Sequence, residues 1–227
     1  MWPFGQKKNK RTTISLTPKT ISFCVFEQAT KYSVLLYSRF PLQNFEYTQA
    51  ILFNPTALKK IIKTFFKQHN LEQMPVAISV AGPKIIETIV QTKTASPYPG
   101  ELDKGLKKLN WDSLYLCPSQ KGGFDFFVCG IKPEHLFSYQ LLGHTCNINV
   151  QTIMTEQLSQ LYLYKKLKDE KFRQTQLSKD LMEQQYNLYN ICSADTVEQK
   201  IEINPLLGID FEKEQRFLKT HLGLFVS

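Results

Sequence analysis

The amino-acid sequence predicts a mixed α/β fold, and three features predict it. The chain opens on three β-rich segments separated by short turns, an amphipathic helix follows, and strands then alternate with helices to the end. A strand meander of this kind carries apolar faces that must be covered by helices.

The first two strands lie in "RTTISLTPKTISFCVFE", Arg11 to Glu27. Ile14–Leu16 and Ile21–Val25 are β-branched, aromatic or otherwise apolar, and they flank a tight turn at Thr17–Lys19. The third strand is "KYSVLLYSRFPL", Lys31 to Leu42, ended by Pro41, which cannot donate to a sheet ladder. In "NPTALKKIIKTFFKQHN", Asn54 suits the N-cap and Pro55 the first helical position. Leu58, Ile61, Ile62, Phe65 and Phe66 recur at i, i+3, i+4, i+7 and i+8, which is one helix face. Lys59, Lys60, Lys63 and Lys67 lie off that face and form a basic stripe, for which a solvated helix surface is the default reading.

Further on, "MPVAISVAG" reads as a short buried strand stopped by Gly82 and Pro83, and "KIIETIVQTKT" as another. "SPYPGELDKGLKKLN" is a loop with one helical turn. "WDSLYLCP" and "FDFFVCGI" are strands around the turn "SQKGG", and the second is apolar enough to lie in a sheet covered on both faces. A helix opens at Pro133 and runs to about Gly143, burying Leu136, Phe137, Leu141 and Leu142. "NINVQTIM" is a strand, and "TEQLSQLYLYKKLKDEKF" a long helix capped by Thr155. A polar helix is expected around Ser178–Asn190, then a short strand in "KIEINPLLGI" and a closing helix with Asp210 as its N-cap. No repeat of fixed period occurs.

With 42% hydrophobic and 21% charged residues, the 227-residue chain has the composition of a globular protein with a core. The net charge of +8 favours anionic partners: nucleic acid, a membrane face or acidic protein surfaces. The charges are spread along the chain, so a solvated basic surface is the simplest account. Cys24, Cys117, Cys129, Cys146 and Cys192 are odd in number and contain no C-x-x-C pair, which suits buried reduced thiols and not a disulfide scaffold or a zinc site. No apolar run approaches the ~20 residues of a membrane span. The opening "MWPFGQKKNKR" lacks the apolar stretch of a secretory signal. Trp2 and Phe4 beside Lys7, Lys8, Lys10 and Arg11 could touch an anionic membrane, the alternative being a disordered solubilising tail.

His69, His135, His144 and His221 have no metal-binding spacing and read as structural or surface residues. There is no G-x-S-x-G elbow, P-loop or G-x-G-x-x-G run. Asp125, in an apolar strand next to a Gly-Gly turn, stands out among the carboxylates, but a turn-end strand residue bonded to nearby backbone accounts for it. No carboxylate pair, RNA-recognition strand or zinc finger is present.

The order of segments resembles the PilM family of actin-like proteins from type IV pilus and related secretion machines, in particular its shorter HofM-type members. "TISLTPKTISFCVF" and "KYSVLLYSRFPL" stand where that family has "G-I-D-I-G-S-S-S-V-K-V-V-E" and a Tyr-containing strand ending in Pro-Leu. "NPTALKKIIKTFFKQHN" and "VAISVAGPKIIETIV" stand where it has an amphipathic helix and "VAIAVPGSAVITK". "FDFFVCGIKPEHLFSYQLLGHTCNINVQTIMTEQLSQLYLY" follows its strand–helix–strand–helix plan, and "INPLLGIDF" with "FLKTHLGLFVS" its closing segment. The resemblance covers about 14–165 and, more weakly, 200–227. It rests on collinear order and on no single motif.

The resemblance implies an α/β fold with an RNase H-like (actin-like) core over 12–45 and 119–172 and an inserted α/β subdomain over 46–118. Residues 1–11 would be a basic tail, 173–209 a remnant of the family's second domain, and 210–227 a helix returning to the core. It also places a degenerate phosphate loop at Ser15, Thr17, Pro18 and Ser22: the family's Asp aligns with Ser15, its Gly with Thr17 and its Lys with Ser22. Thr152 stands where a further Asp is expected. A phosphate cradle needs closely approaching N–H groups, and an actin-like site needs a carboxylate to organise its metal. The expectation is a pseudo-ATPase with no catalytic residue, metal or cofactor. Its function would be that of a cytoplasmic adaptor at the inner face of the membrane, holding the cytoplasmic tail of a PilN-like protein in a groove between core and insert. No groove residue is named by the resemblance. The rival readings are an actin-like ATPase with an atypical site and a basic nucleic-acid-binding protein, the second motivated by the charge and the lysine stripe; no nucleic acid is favoured.

Overall fold

The computed structural model describes residues 9–28, 31–42, 55–72, 74–82, 84–97, 100–102, 104–119, 122–167, 201–203 and 205–226. The expected helix around 178–190 and the cap Asn54 lie outside them.

The first three strands are β1 (Asn9–Leu16), β2 (Thr20–Gln28) and β3 (Tyr32–Pro41), an antiparallel meander in which Ile14 opposes Phe23 and Ser15 opposes Ser22. Helix α1 (Pro55–Gln68) leads to β4 (Pro75–Val80), which runs parallel to β1. Next come β5 (Ile86–Thr92), a 3-10 turn at Leu106–Lys108, β6 (Asn110–Pro118) and β7 (Phe124–Ile131). Helix α2 (Pro133–Cys146), β8 (Asn149–Thr155) and α3 (Glu156–Leu167) follow, then β9 (Ile201–Ile203), a second 3-10 turn at Pro205–Leu207 and α4 (Phe211–Val226). The larger sheet has the order β8-β4-β1-β2-β3-β9 and the smaller the order β5-β7-β6.

The alternation of β2 explains why nearly all of it is buried. Ile21, Phe23 and Val25 face α1 and α2, where they meet Leu58, Ile62, Phe65, Tyr139 and Leu142. Phe23 stacks on Phe65 with ring centroids 4.1 Å apart. Cys24 and Phe26 face the opposite way, against Leu158 of α3 and Leu218, Leu222 and Phe225 of α4. The larger sheet is thus the middle of three layers. The smaller sheet also has two covered faces: Phe127 and Cys129 join the α3–α4 side, while Phe126 and Val128 pack on Leu102 and Leu106.

Caps and boundaries follow local chemistry. Thr155 Oγ1 accepts the Leu158 N–H at 3.2 Å, and Asp210 Oδ1 accepts the Lys213 N–H at 3.3 Å. Helix α2 continues past Gly143 to Cys146 and stops at Asn147, whose φ of 57° is a left-handed cap. Gly143 is retained inside the helix by packing, since a Cβ there would lie 2.5 Å from Val150 Cγ2.

Two expectations differ from the structure. Phe137 and Leu141 are 62% and 46% exposed, not buried. Polar and apolar residues are mixed around helix α2, so its sequence does not choose an inner face. Strand membership also departs from the boundaries read in the sequence. β4, assigned there to the insert, lies between β1 and β8, and β7, assigned to the core, is the central strand of the smaller sheet. Both are short apolar runs whose sheet is set by distant pairing partners, not by their own pattern.

Candidate functional site

The turn between β1 and β2 is closed on itself. The Thr17 N–H donates to Thr20 O at 2.9 Å. The Thr17 hydroxyl accepts the N–H groups of Lys19 at 3.3 Å and Thr20 at 3.0 Å, and lies 2.9 Å from Thr20 Oγ1. Pro18 has no N–H. All the backbone donors of Thr17–Thr20 are therefore used within the turn, whereas a phosphate cradle presents them to its ligand.

Below the turn, Ser15 and Ser22 are fully buried side by side in the β1–β2 ladder. Helix α4 covers them with His221, whose Nδ1 is 2.9 Å from Thr13 Oγ1 and whose Nε2 is 2.9 Å from Ser22 Oγ. Thr13 Oγ1 donates its proton to Cys24 O at 3.1 Å. The network therefore assigns the imidazole proton to Nδ1 and makes Nε2 the acceptor of the Ser22 hydroxyl. Burial lowers the His221 pKa to about 3, so the ring is neutral. The hydroxyls of Ser15 and Ser79, neighbours across β1–β4, are buried without a hydrogen-bond partner.

Ser15, Thr17, Pro18 and Ser22 are thus together on the first hairpin. Thr152 is apart from them, on the sheet's terminal strand opposite Ala77. Asp125 is buried near the Gly122–Gly123 turn in register with Gln91. His69 packs against the Phe65 ring at 4.8 Å, His135 is buried in α2, and His144 is exposed in its last turn. Among the described residues no three metal-ligating side chains come together. Burial pushes the thiols of Cys129 and Cys146 up to about 12 and about 11, and that of Cys24 well above its ordinary value.

The open concavity lies elsewhere, where the two sheets meet. A cavity of about 130 Å³ is bounded by Val80 at the end of β4, Thr155 at the end of β8, Leu136 of α2 and Leu158 of α3. Its opposite wall is the start of β6, with Trp111, and the end of β7, with Cys129. Crevices at the carboxyl ends of parallel strands are where open α/β sheets bind ligands. A second groove, of about 470 Å³, continues along β8 beside α2 and shares Leu136 and Ile153 with the first. Among the described residues, β8 and β6 are terminal strands of their sheets, so each offers backbone groups without a described sheet neighbour. Sequence reading named no residue of this site, because its walls come from six elements.

Glu87 joins the small sheet to the core beside this crevice. Its carboxylate accepts hydrogen bonds from the Thr155 hydroxyl and the Gln157 N–H at the start of α3, while its Oε1 is buried without a partner. Burial, and to a smaller extent Glu156, raises its pKa to about 7. The folded pKa exceeds the unfolded value of 4.5, so folding binds a proton between these values and stability falls as pH rises from 4.5 through 7. Replacing Glu87 by Gln is expected to leave stability unchanged near pH 4 and to raise it by about 1–3 kcal/mol at pH 8. Urea denaturation at the two pH values checks this.

No family model matches the sequence, and no curated protein does. Among solved structures, the fold is similar to "cyto-EpsL: the cytoplasmic domain of EpsL, an inner membrane component of the type II secretion system of Vibrio cholerae". That likeness has a TM-score of 0.44 at 16% identity and spans 66% of this chain and 57% of that one, less than two thirds of it. The fold is also similar to a chain of the "PilM-PilN type IV pilus biogenesis complex", with a TM-score of 0.63 at 9% identity, over 97% of this chain and 99% of that one. At this identity the likeness is one of fold, which the present chain shares with that component of a pilus-assembly complex.

Proposed function

We propose that the protein is a non-catalytic adaptor of a type IV pilus or type II secretion-like assembly platform, and that its junction crevice holds the short cytoplasmic tail of a PilN-like membrane protein. The observation that carries the proposal is the crevice itself: an apolar cavity continuous with a groove along β8, the terminal strand of its sheet among the described residues. This combination suits an extended peptide, whose main chain bonds to an edge while alternate side chains fill apolar recesses. The fold shared with a chain of the PilM-PilN complex supports the choice of partner class.

The sheet order supports the RNase H-like reading of the core, with a three-strand meander extended by two parallel strands and helices on both faces. The strands β5, β6 and β7 then form the inserted subdomain. The self-bonded turn at Thr17–Thr20 and the burial of Ser15 and Ser22 under α4 support the absence of nucleotide chemistry. The site of action in this reading is the cytoplasmic face of the inner membrane.

Fluorescence anisotropy with a labelled tail peptide tests the docking. The peptide is taken from a membrane protein encoded beside this one, with a single N-terminal span. Saturable binding is expected, weakened at least about tenfold by Trp111→Ala or Ile153→Asp, since each removes an apolar wall of the crevice. Binding that is indifferent to both substitutions, or absent in the wild type, would sink the proposal.

A further inference from the structure

Helices α1 and α2 cover the same face of the larger sheet, so their outward sides, which carry the lysine stripe and the exposed apolar side chains of α2, point the same way, and the docking reading does not use them. Helix α1 carries Lys59, Lys60, Lys63 and Lys67 and no acidic residue. Lys60, Lys63 and Lys67 are exposed, and among the described residues none of the four forms an ion pair. Helix α2 lies beside α1: Tyr139, Leu142 and Cys146 of α2 share one core cluster with Leu58, Ile62 and Phe66 of α1. Cys146 faces the sheet, and Leu141 and Phe137, five and nine residues before it, lie on the opposite side of the helix. Both project outward, with Phe137 62% and Leu141 46% exposed.

We propose that the outer faces of α1 and α2 dock on an anionic phospholipid bilayer, with Lys60, Lys63 and Lys67 against the headgroups and Phe137 and Leu141 at the headgroup–acyl boundary. Charge complementarity selects the occupant: the lysines of α1 have no ion pair among the described residues, and Glu134, the acidic residue of α2, is paired with Lys132, so the face as a whole attracts an anionic surface. Aromatic and aliphatic anchors beside lysines add apolar burial at the interface, and two weak signals together hold a protein that neither would hold alone. A nucleic acid fits less well: the face has no Arg to grip phosphate bidentately, and Phe137 and Leu141 would be left against a polar backbone. The orientation also suits the tail-docking reading, since Leu136, which lines both cavities, neighbours Phe137. The inference stands independently of that reading and is tested without a peptide.

The experiment is co-sedimentation of the full chain with vesicles of phosphatidylcholine alone and of phosphatidylcholine mixed with phosphatidylglycerol. The wild type is expected to bind the anionic vesicles only, and to release as salt rises. The variant Lys60→Glu/Lys63→Glu/Lys67→Glu is expected to lose on the order of 100-fold in partitioning, with its thermal midpoint unchanged. Phe137→Ser/Leu141→Ser is expected to bind more weakly with the same salt sensitivity. Three results would overturn the proposal: equal binding to neutral and anionic vesicles, undiminished binding of the lysine variant (which would move the contact to Trp2, Phe4 and the basic residues after them), or tighter binding to duplex DNA than to vesicles at equal salt.

Discussion

Replacing Ser15 by Asp is expected to destabilise the protein by about 3–5 kcal/mol and to create no nucleotide site. Ser15 is fully buried between Ser22 of β2 and Ser79 of β4, beneath α4. A carboxylate there would lose its hydration and gain at most hydroxyl donors, one of which, on Ser22, already donates to His221. His221 offers no compensating charge, because burial keeps it neutral. The introduced acid would hold its proton or unfold the protein. Ser15→Ala is the informative control. The Ser15 hydroxyl has no partner, so its removal is expected to be neutral or to stabilise by up to about 1 kcal/mol. Equilibrium urea denaturation of both variants reads the difference. An Asp variant as stable as the wild type would show that this part of β1 is open to water.

Replacing Gly223 by Val is expected to cost about 3 kcal/mol or more. A Cβ on Gly223 would lie 2.0 Å from Ser159 O and 3.2 Å from Gln160 N, both backbone atoms of α3. Backbone cannot rotate away as a side chain can, so the helices must part. Separation would strain the neighbouring contacts. Arg216 donates from Nε and Nη2 to the two carboxylate oxygens of Glu156, each at 2.9 Å, and Glu156 is only 2% exposed. Thr220 Oγ1 also accepts the Gln160 side-chain amide at 2.9 Å. A parted interface would leave a buried carboxylate short of its guanidinium partner, which is costlier than the lost packing alone. Gly223→Ala is expected to lie between the wild type and Val, because the gain in helix propensity of about 1 kcal/mol offsets part of the clash. Thermal or urea unfolding monitored by circular dichroism gives the order.

These two sites also show what the sequence could and could not reveal. Local patterns were readable: the apolar stripe of α1, Thr155 as the cap of α3 and Asp210 as the cap of α4 depend on neighbours within a turn or two. The mixed α/β class followed from the order of such segments. The position of His221 was not readable, since it joins Thr13 across 208 residues and Ser22 across 199. Nor was the outer face of α2, whose polar and apolar residues are mixed around the helix. The exchange of β4 and β7 between the two sheets has the same origin, because pairing is a tertiary choice among similar apolar runs. The crevice combines all of these non-local decisions. Of the hairpin, the residue types alone said that Pro18 lacks an N–H; that the Thr17 hydroxyl accepts the N–H groups of Lys19 and Thr20 is visible only in the folded turn.

The account turns on a hairpin that spends its donors on itself and on the proposal that binding takes place at the crevice between the sheets. Isothermal titration calorimetry of the wild-type chain with Mg-ATP tests this most directly. The expected result is no saturable heat at micromolar to low millimolar nucleotide; a micromolar dissociation constant, abolished by substitution of Thr17 or Ser15, would contradict it.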